Sequence, residues 1–139
     1  MGFDLKQSII VAIYLSIIVL SRKVMSDTLT NETVEQIKKQ IADNKVILYM
    51  KGSPQLPMCG FSAQAVQALM QCGHEFAFVD ILQNPDIRAE LPKYANWPTF
   101  PQLWVDGELQ GGCDIILEMF QAGELQQVLD QSYGKPGQA

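Results

Sequence analysis

Thiols and imidazoles are scarce in this chain. Its 139 residues include three cysteines, Cys59, Cys72 and Cys113, and one histidine, His74. An odd, widely spaced set of thiols does not make the disulfide framework of a small secreted domain. The thiols are therefore expected to be free and the protein cytoplasmic. A lone histidine has no partner at metal-ligand spacing, and neither it nor Cys72 is assigned a role. There is also no excess of positive charge: the formal net charge is −5, and the first 24 residues carry +2 (Asp4 against Lys6, Arg22 and Lys23), which leaves −7 on the remainder. An acidic body argues against nucleic acid as the main partner.

An apolar run of spanning length is missing too. Ile9 to Leu20 is apolar apart from Tyr14 and Ser16. As a helix it would reach about 18 Å, against about 30 Å of bilayer hydrocarbon. A secretory leader is disfavoured because Asp4 accompanies Lys6 ahead of the run and no small-x-small cleavage site follows Leu20. Two readings of residues 1–24 stay open: upstream sequence translated ahead of a start at Met25, or a weak anchor whose Arg22 and Lys23 would hold the following domain on the cytoplasmic side. Residues 25–32 read as a linker, 33–132 as one folded domain and 133–139 as a flexible tail.

Within the domain, 47% hydrophobic content allows a proper core. Thr33 followed by Gln36 has the form of a capping box, and Val34, Ile37 and Ile41 share a helical face, so a helix is expected over 33–43. Val46 to Met50 is a continuous β-rich run, the pattern of a central strand covered on both faces. A Pro-containing loop leads to a helix from near Cys59 to Gly73, with Ala63, Val66, Leu69 and Met70 on its apolar face. Phe76 to Ile81 reads as a second buried strand. Asn84-Pro85 opens a helical region that Pro92 should split into two short pieces between Asp86 and Ala95. Leu103 to Leu109 reads as a hairpin about Asp106-Gly107, and helices are expected around 115–120 and 125–129. Two parallel strands joined by a helix, then an antiparallel hairpin and closing helices, give an α/β fold of the thioredoxin-like type, a four-stranded mixed sheet flanked by helices. Trp97 and Trp104 read as core or groove-wall aromatics, and Met50, Met70 and Met119 as core.

The residue with chemistry is Cys59. It follows a strand and a loop and precedes an amphipathic helix, so its sulfur should meet unpaired amides and the positive end of the helix dipole. Lys51, at the end of the preceding strand, adds positive charge. Both effects favour a thiolate that can act as nucleophile or metal ligand. Pro57 and Gly60 offer little bulk to bury it. Ser62 stands where a Cys-x-x-Cys motif has its second cysteine, and a hydroxyl cannot close a disulfide, so the ordinary dithiol route is missing.

Cys59-Gly60-Phe61-Ser62, Lys51 upstream, Trp97-Pro98-Thr99-Phe100-Pro101 and Gly111-Gly112-Cys113-Asp114 together resemble, in order and spacing, the monothiol glutaredoxins of the CGFS class, bacterial single-domain type. The resemblance covers about 33–132 and leaves residues 1–24 outside. It implies a glutathione site in which Lys51 and Arg88 take the glycine carboxylate, Phe100, before a cis Pro101, offers its backbone to the cysteine portion, and Cys113 and Asp114 meet the γ-glutamyl end. Without it, Arg88 would be a solvated helix charge and Asp114 a plain N-cap. Cys113 is taken as a binding position and not a catalytic one. The resemblance further implies a 2Fe-2S cluster bridging a homodimer, held by two copies of Cys59 and two glutathione thiolates. Partners would then be BolA-like proteins and iron-sulfur acceptor proteins, with membrane contact only where residues 1–24 are retained. The implied function is cluster biogenesis and transfer. Two rivals stand beside it: monothiol deglutathionylation by Cys59, with weak thiol-disulfide oxidoreductase activity at most, and a membrane-tethered adaptor without cluster chemistry.

Overall fold

The computed structural model describes residues 5–134. A long helix, α1 (Leu5–Asp43), leads into strand β1 (Val46–Met50) and helix α2 (Gly60–Gln71). Strand β2 (Ala77–Asp80) and helix α3 (Pro85–Ala95) follow, then the hairpin β3 (Gln102–Val105) and β4 (Glu108–Gly111), and finally α4 (Cys113–Gln121) and α5 (Glu124–Tyr133).

The sheet runs in the order β2-β1-β3-β4, with β1 parallel to β2 and antiparallel to β3. Every residue of β1 is buried, as expected of a strand covered on both faces. Side chains alternate across a strand, so its residues divide between two cores. Val46, Leu48 and Met50 pack with Val66 and Leu69 of α2, Ile116 of α4 and Leu125 of α5. Ile47 and Tyr49 pack with Ile37 and Ile41 of α1, and with Ile87 and Leu91 of α3. Asp106 and Gly107 both take positive φ, 49° and 81°, the two-residue turn whose twist matches a hairpin. This is the thioredoxin-like mixed sheet expected from the element order.

Several elements differ from their sequence patterns. α1 does not start at Thr33: the chain is already helical there, and the Thr33 hydroxyl donates back to the Leu29 carbonyl at 3.0 Å instead of capping. Residues 25–32 are helical as well. α3 is one helix with Pro92 inside it, not two pieces. Proline costs the Arg88 carbonyl its usual donor, but Ile87 and Leu91, both buried, pin the helix on either side of that defect. β2 is an edge strand and only half-buried, with Phe78 exposed, because among the described residues no strand lies beyond it. Met70 is exposed, since the face α2 turns to the sheet is built from Ser62, Ala65, Val66 and Leu69. Met50 is core as expected, and Met119 packs against it from a partly buried position. Of the tail expected over 133–139, Tyr133 closes α5 and residues 135–139 lie outside the described residues.

Candidate functional site

Lys51 leaves the end of β1 and Cys59 begins α2, and the loop between them is closed on itself. The Met58 amide donates to the Lys51 carbonyl at 2.9 Å, and Gly52 pairs with Pro57. Gly52 holds φ +90°, and a Cβ there would collide with the Leu56 carbonyl oxygen and lie 2.8 Å from the Met58 nitrogen, so only glycine fits. Two buried or half-buried side chains fasten the loop's start. Ser62 Oγ accepts from the Lys51 amide at 3.1 Å, and Asp80 Oδ1 accepts from the Gly52 amide at 3.0 Å.

Cys59 is the N-cap residue of α2, with extended backbone (φ −151°, ψ 138°). Its sulfur makes no cap hydrogen bond of ordinary length, yet it faces amides that the first helical turn leaves unpaired. The Ser62 and Phe61 amides hold its thiol below the ordinary range, and the Lys51 ammonium adds to this. The other two thiols move the opposite way. Burial pushes Cys113 up, with Asp114 and Cys59 adding to it, and burial and Asp130 push Cys72 up. All three cysteines are free.

A cleft of about 730 Å³ is lined by Lys51, Arg88, Phe100, Cys113, Asp114 and Trp97 among others; Cys59 itself is not in the lining, but Phe61, two residues on, is. The five residues that the resemblance assigned to glutathione thus share one cavity. They arrive from separate elements: Lys51 from the end of β1, Arg88 from α3, Phe100 from the loop before β3, and Cys113 and Asp114 from the first turn of α4. The Phe100–Pro101 peptide is cis. The N-cap of α4 is Gly112, so Asp114 sits inside the first turn and is not the cap. The Cys113 thiol donates to Gln64 Oε1 at 3.4 Å. Trp97 Nε1 is buried without a hydrogen-bond partner, against Gly112. Trp104 belongs to the core, as expected.

Gln102 and Asp80 had no functional signal in the sequence, and Ser62 had none for the contact it makes. Gln102 is fully buried, and its Nε2 donates to the Trp97 and Thr99 carbonyls at 3.1 and 3.3 Å, which fixes the loop that carries Phe100. Asp80 and Ser62 do the same for the loop that carries Lys51. Only the tertiary fold reveals such contacts, because a buried polar side chain has no periodicity of its own. His74 and Cys72 lie elsewhere: His74 Nε2 is 2.7 Å from Asp130 Oδ1, and its ring stacks on Tyr133, which joins the end of α2 to α5. Among the described residues no cluster of three or more histidine, cysteine, aspartate or glutamate side chains is arranged to hold a metal ion.

Leu56, Met58 and Phe61 stand exposed around Cys59, each more than half accessible. Cys59 thus has exposed apolar neighbours in the chain, one of which, Phe61, also lines the cationic cleft.

Comparison with known proteins bears on this arrangement. Residues 46–110 match the family model named Glutaredoxin. Glutaredoxin 4 of Escherichia coli (strain K12) is 74% identical over 103 residues, covering 74% of this chain and 90% of the relative. Glutaredoxin 4 of Haemophilus influenzae (strain 86-028NP) is 69% identical over 104 residues, covering 75% and 97%. Among solved structures, reduced poplar apo GrxS14 is 44% identical with a TM-score of 0.63, covering 70% of this chain and 90% of that one. A buckwheat glutaredoxin–glutathione complex has the same fold at a TM-score of 0.69 and 19% identity, over 78% of this chain and 96% of that one. An acidified single thiol at a helix start, a serine in place of its redox partner and this degree of likeness agree: the chain belongs to the glutaredoxin family and is a monothiol glutaredoxin.

Proposed function

We propose that this glutaredoxin of the CGFS class binds glutathione in the cleft between Lys51 and Asp114 and carries a 2Fe-2S cluster as cargo for iron-sulfur cluster biogenesis and transfer. The observation that supports it best is a partly exposed, acidified Cys59 at a cleft bearing two cations, Lys51 and Arg88, and the start of α4. Cations and free helix amides suit a tripeptide with two carboxylates, and exposed Asp114 suits its ammonium. The buckwheat relative was crystallised with glutathione.

A 2Fe-2S cluster takes four ligands. One copy of this chain offers one acidified thiolate, so the reading requires two copies of Cys59 and two glutathione thiolates in a homodimer bridged by the cargo. Half of such a ligand set exchanges with solution, which suits delivery to acceptor proteins and pairing with BolA-like proteins. Free cysteines suit a cytoplasmic setting, and membrane contact is confined to the apolar first half of α1 where residues 1–24 are retained.

Anaerobic reconstitution with iron, sulfide and glutathione tests the proposal. Wild type should become coloured and dimeric by mass, and Cys59→Ser colourless and monomeric. A colourless, monomeric wild type would refute it.

The lowered Cys59 thiol also supports a second reading. Its thiolate attacks the glutathione sulfur of a glutathionylated protein and releases the protein thiolate. A second glutathione thiolate then attacks the Cys59–glutathione disulfide, which returns Cys59 as thiolate and yields glutathione disulfide. Fast turnover of a glutathionylated peptide without cluster assembly would favour this reading over the first.

A further inference from the structure

Ser62 occupies the position of the missing second thiol, yet its side chain is fully buried and already employed. The ladder of β1 ends at Met50, and Lys51 lies past it, so the Lys51 amide has no strand partner. The Ser62 hydroxyl oxygen accepts that amide at 3.1 Å from the first turn of α2. The Lys51 carbonyl is taken by Met58, one residue before Cys59. Lys51 is thus gripped at its amide by the helix that presents Cys59 and at its carbonyl by the loop that leads to Cys59. Asp80, on the next amide, fastens the same turn to β2.

We propose that Ser62 is a positioning residue, whose hydroxyl holds the Lys51 backbone, and through it the Lys51 ammonium, beside Cys59 and the mouth of the cleft. On this account position 62 needs a compact oxygen acceptor. A methyl group leaves the Lys51 amide without its partner, and a sulfur is a weaker acceptor of larger radius. Conversion of the site to a dithiol would therefore loosen Lys51 even as it supplied a second thiol. The proposal rests on Cys59 as the reactive thiol and is independent of any cluster.

The experiment is the pH dependence of Cys59 alkylation by iodoacetamide, resolved by peptide mass mapping, in wild type, Ser62→Ala, Ser62→Cys, Lys51→Met and the Ser62→Ala/Lys51→Met pair. Ser62→Ala and Lys51→Met should each raise the midpoint, leaving less thiolate at a given pH below it. The double variant should shift no further than Lys51→Met alone, because the hydroxyl acts through that lysine. Ser62→Cys should fall between wild type and Ser62→Ala. Should Ser62→Ala fail to fold, Ser62→Cys, which keeps a weak acceptor at that position, takes its place in the comparison with Lys51→Met. An unchanged midpoint overturns the proposal, even alongside a lower melting temperature, and so does a shift that adds fully to that of Lys51→Met.

Discussion

Three thiols in one small domain behave differently because each meets a different environment. Cys59 faces the unpaired Ser62 and Phe61 amides with Lys51 nearby, and remains partly accessible. Cys72, the C-cap residue of α2, is buried in the core with Asp130 as a negative neighbour, and Cys113 is buried against Gln64 with Asp114 and Cys59 as negative neighbours. Donors stabilise a thiolate, whereas burial and nearby anions oppose it. The sign for Cys59 is a lowered thiol, so its reactivity should rise with pH through a midpoint below that of an ordinary cysteine. Limited iodoacetamide at neutral pH should therefore label Cys59 first, with Cys72 and Cys113 protected until the protein is unfolded. Peptide mass mapping reads this directly, and early labelling of Cys113 would contradict it. The sequence carried the Cys59 assignment because a cysteine between a loop and an amphipathic helix has few other environments open to it. It carried no trace of Ser62 as an acceptor, since that contact depends on where the end of β1 lies in space.

At the scale of elements, strong periodicity read well and competing signals did not. β1 was legible because a run of five apolar residues rich in β-formers, ended by Lys51-Gly52-Ser53-Pro54, is too short for a helix and suits a strand buried on both faces. The hairpin was legible because Asp106-Gly107 fits the left-handed turn. α3 was misjudged since the local penalty of Pro92 is outweighed by burial of Ile87 and Leu91, and β2 since sheet order, which no local pattern states, decides how much of a strand is covered. The loop from Lys51 to Met58 shows the same dependence on tertiary contact. Gly52→Ala forces a Cβ into the Leu56 carbonyl at a φ that L residues avoid, and should destabilise the protein by about 1–3 kcal/mol. It should also raise the Cys59 alkylation midpoint by disturbing Lys51. Urea unfolding checks the first effect, and a loss below 0.5 kcal/mol would mean the loop relaxes freely. Ile37→Ala removes a fully buried side chain from the core that α1 shares with α3, and should cost about 2–5 kcal/mol in the same measurement while leaving the Cys59 pH profile unchanged.

At the scale of the whole molecule, the body and the first half of α1 obey different rules. From Thr33 onward α1 is a docked helix, with Thr33, Ile37 and Ile41 buried. Before that point its apolar residues lie open: Ile9, Ile10, Val11, Ile13, Tyr14, Leu15, Ile17, Val19 and Leu20 are each more than half exposed. They ring the helix instead of forming a stripe, and no element of the body covers them. A helix apolar on every side suits surroundings that are apolar on every side, such as a bilayer. By length and composition α1 is able to cross a membrane. The uninterrupted run is shorter than the hydrocarbon core, and Lys6, Arg22 and Lys23 flank it, so long cationic side chains reaching toward headgroups would have to make up the difference. In sequence the run from Ile9 to Leu20 looked too short to span, and residues 25–32 read as a linker, whereas the helix continues through them. The expected outcome for the 139-residue chain is therefore sedimentation with membranes, resistance to salt and carbonate, and release by detergent. A chain beginning at Met25 should stay in the supernatant with its Cys59 pH profile unchanged, since every residue of the cleft lies beyond α1. Equal solubility of the two chains would show that the exposed apolar half of α1 does not engage lipid, and a changed thiol profile in the shorter chain would show that the helix supports the site after all.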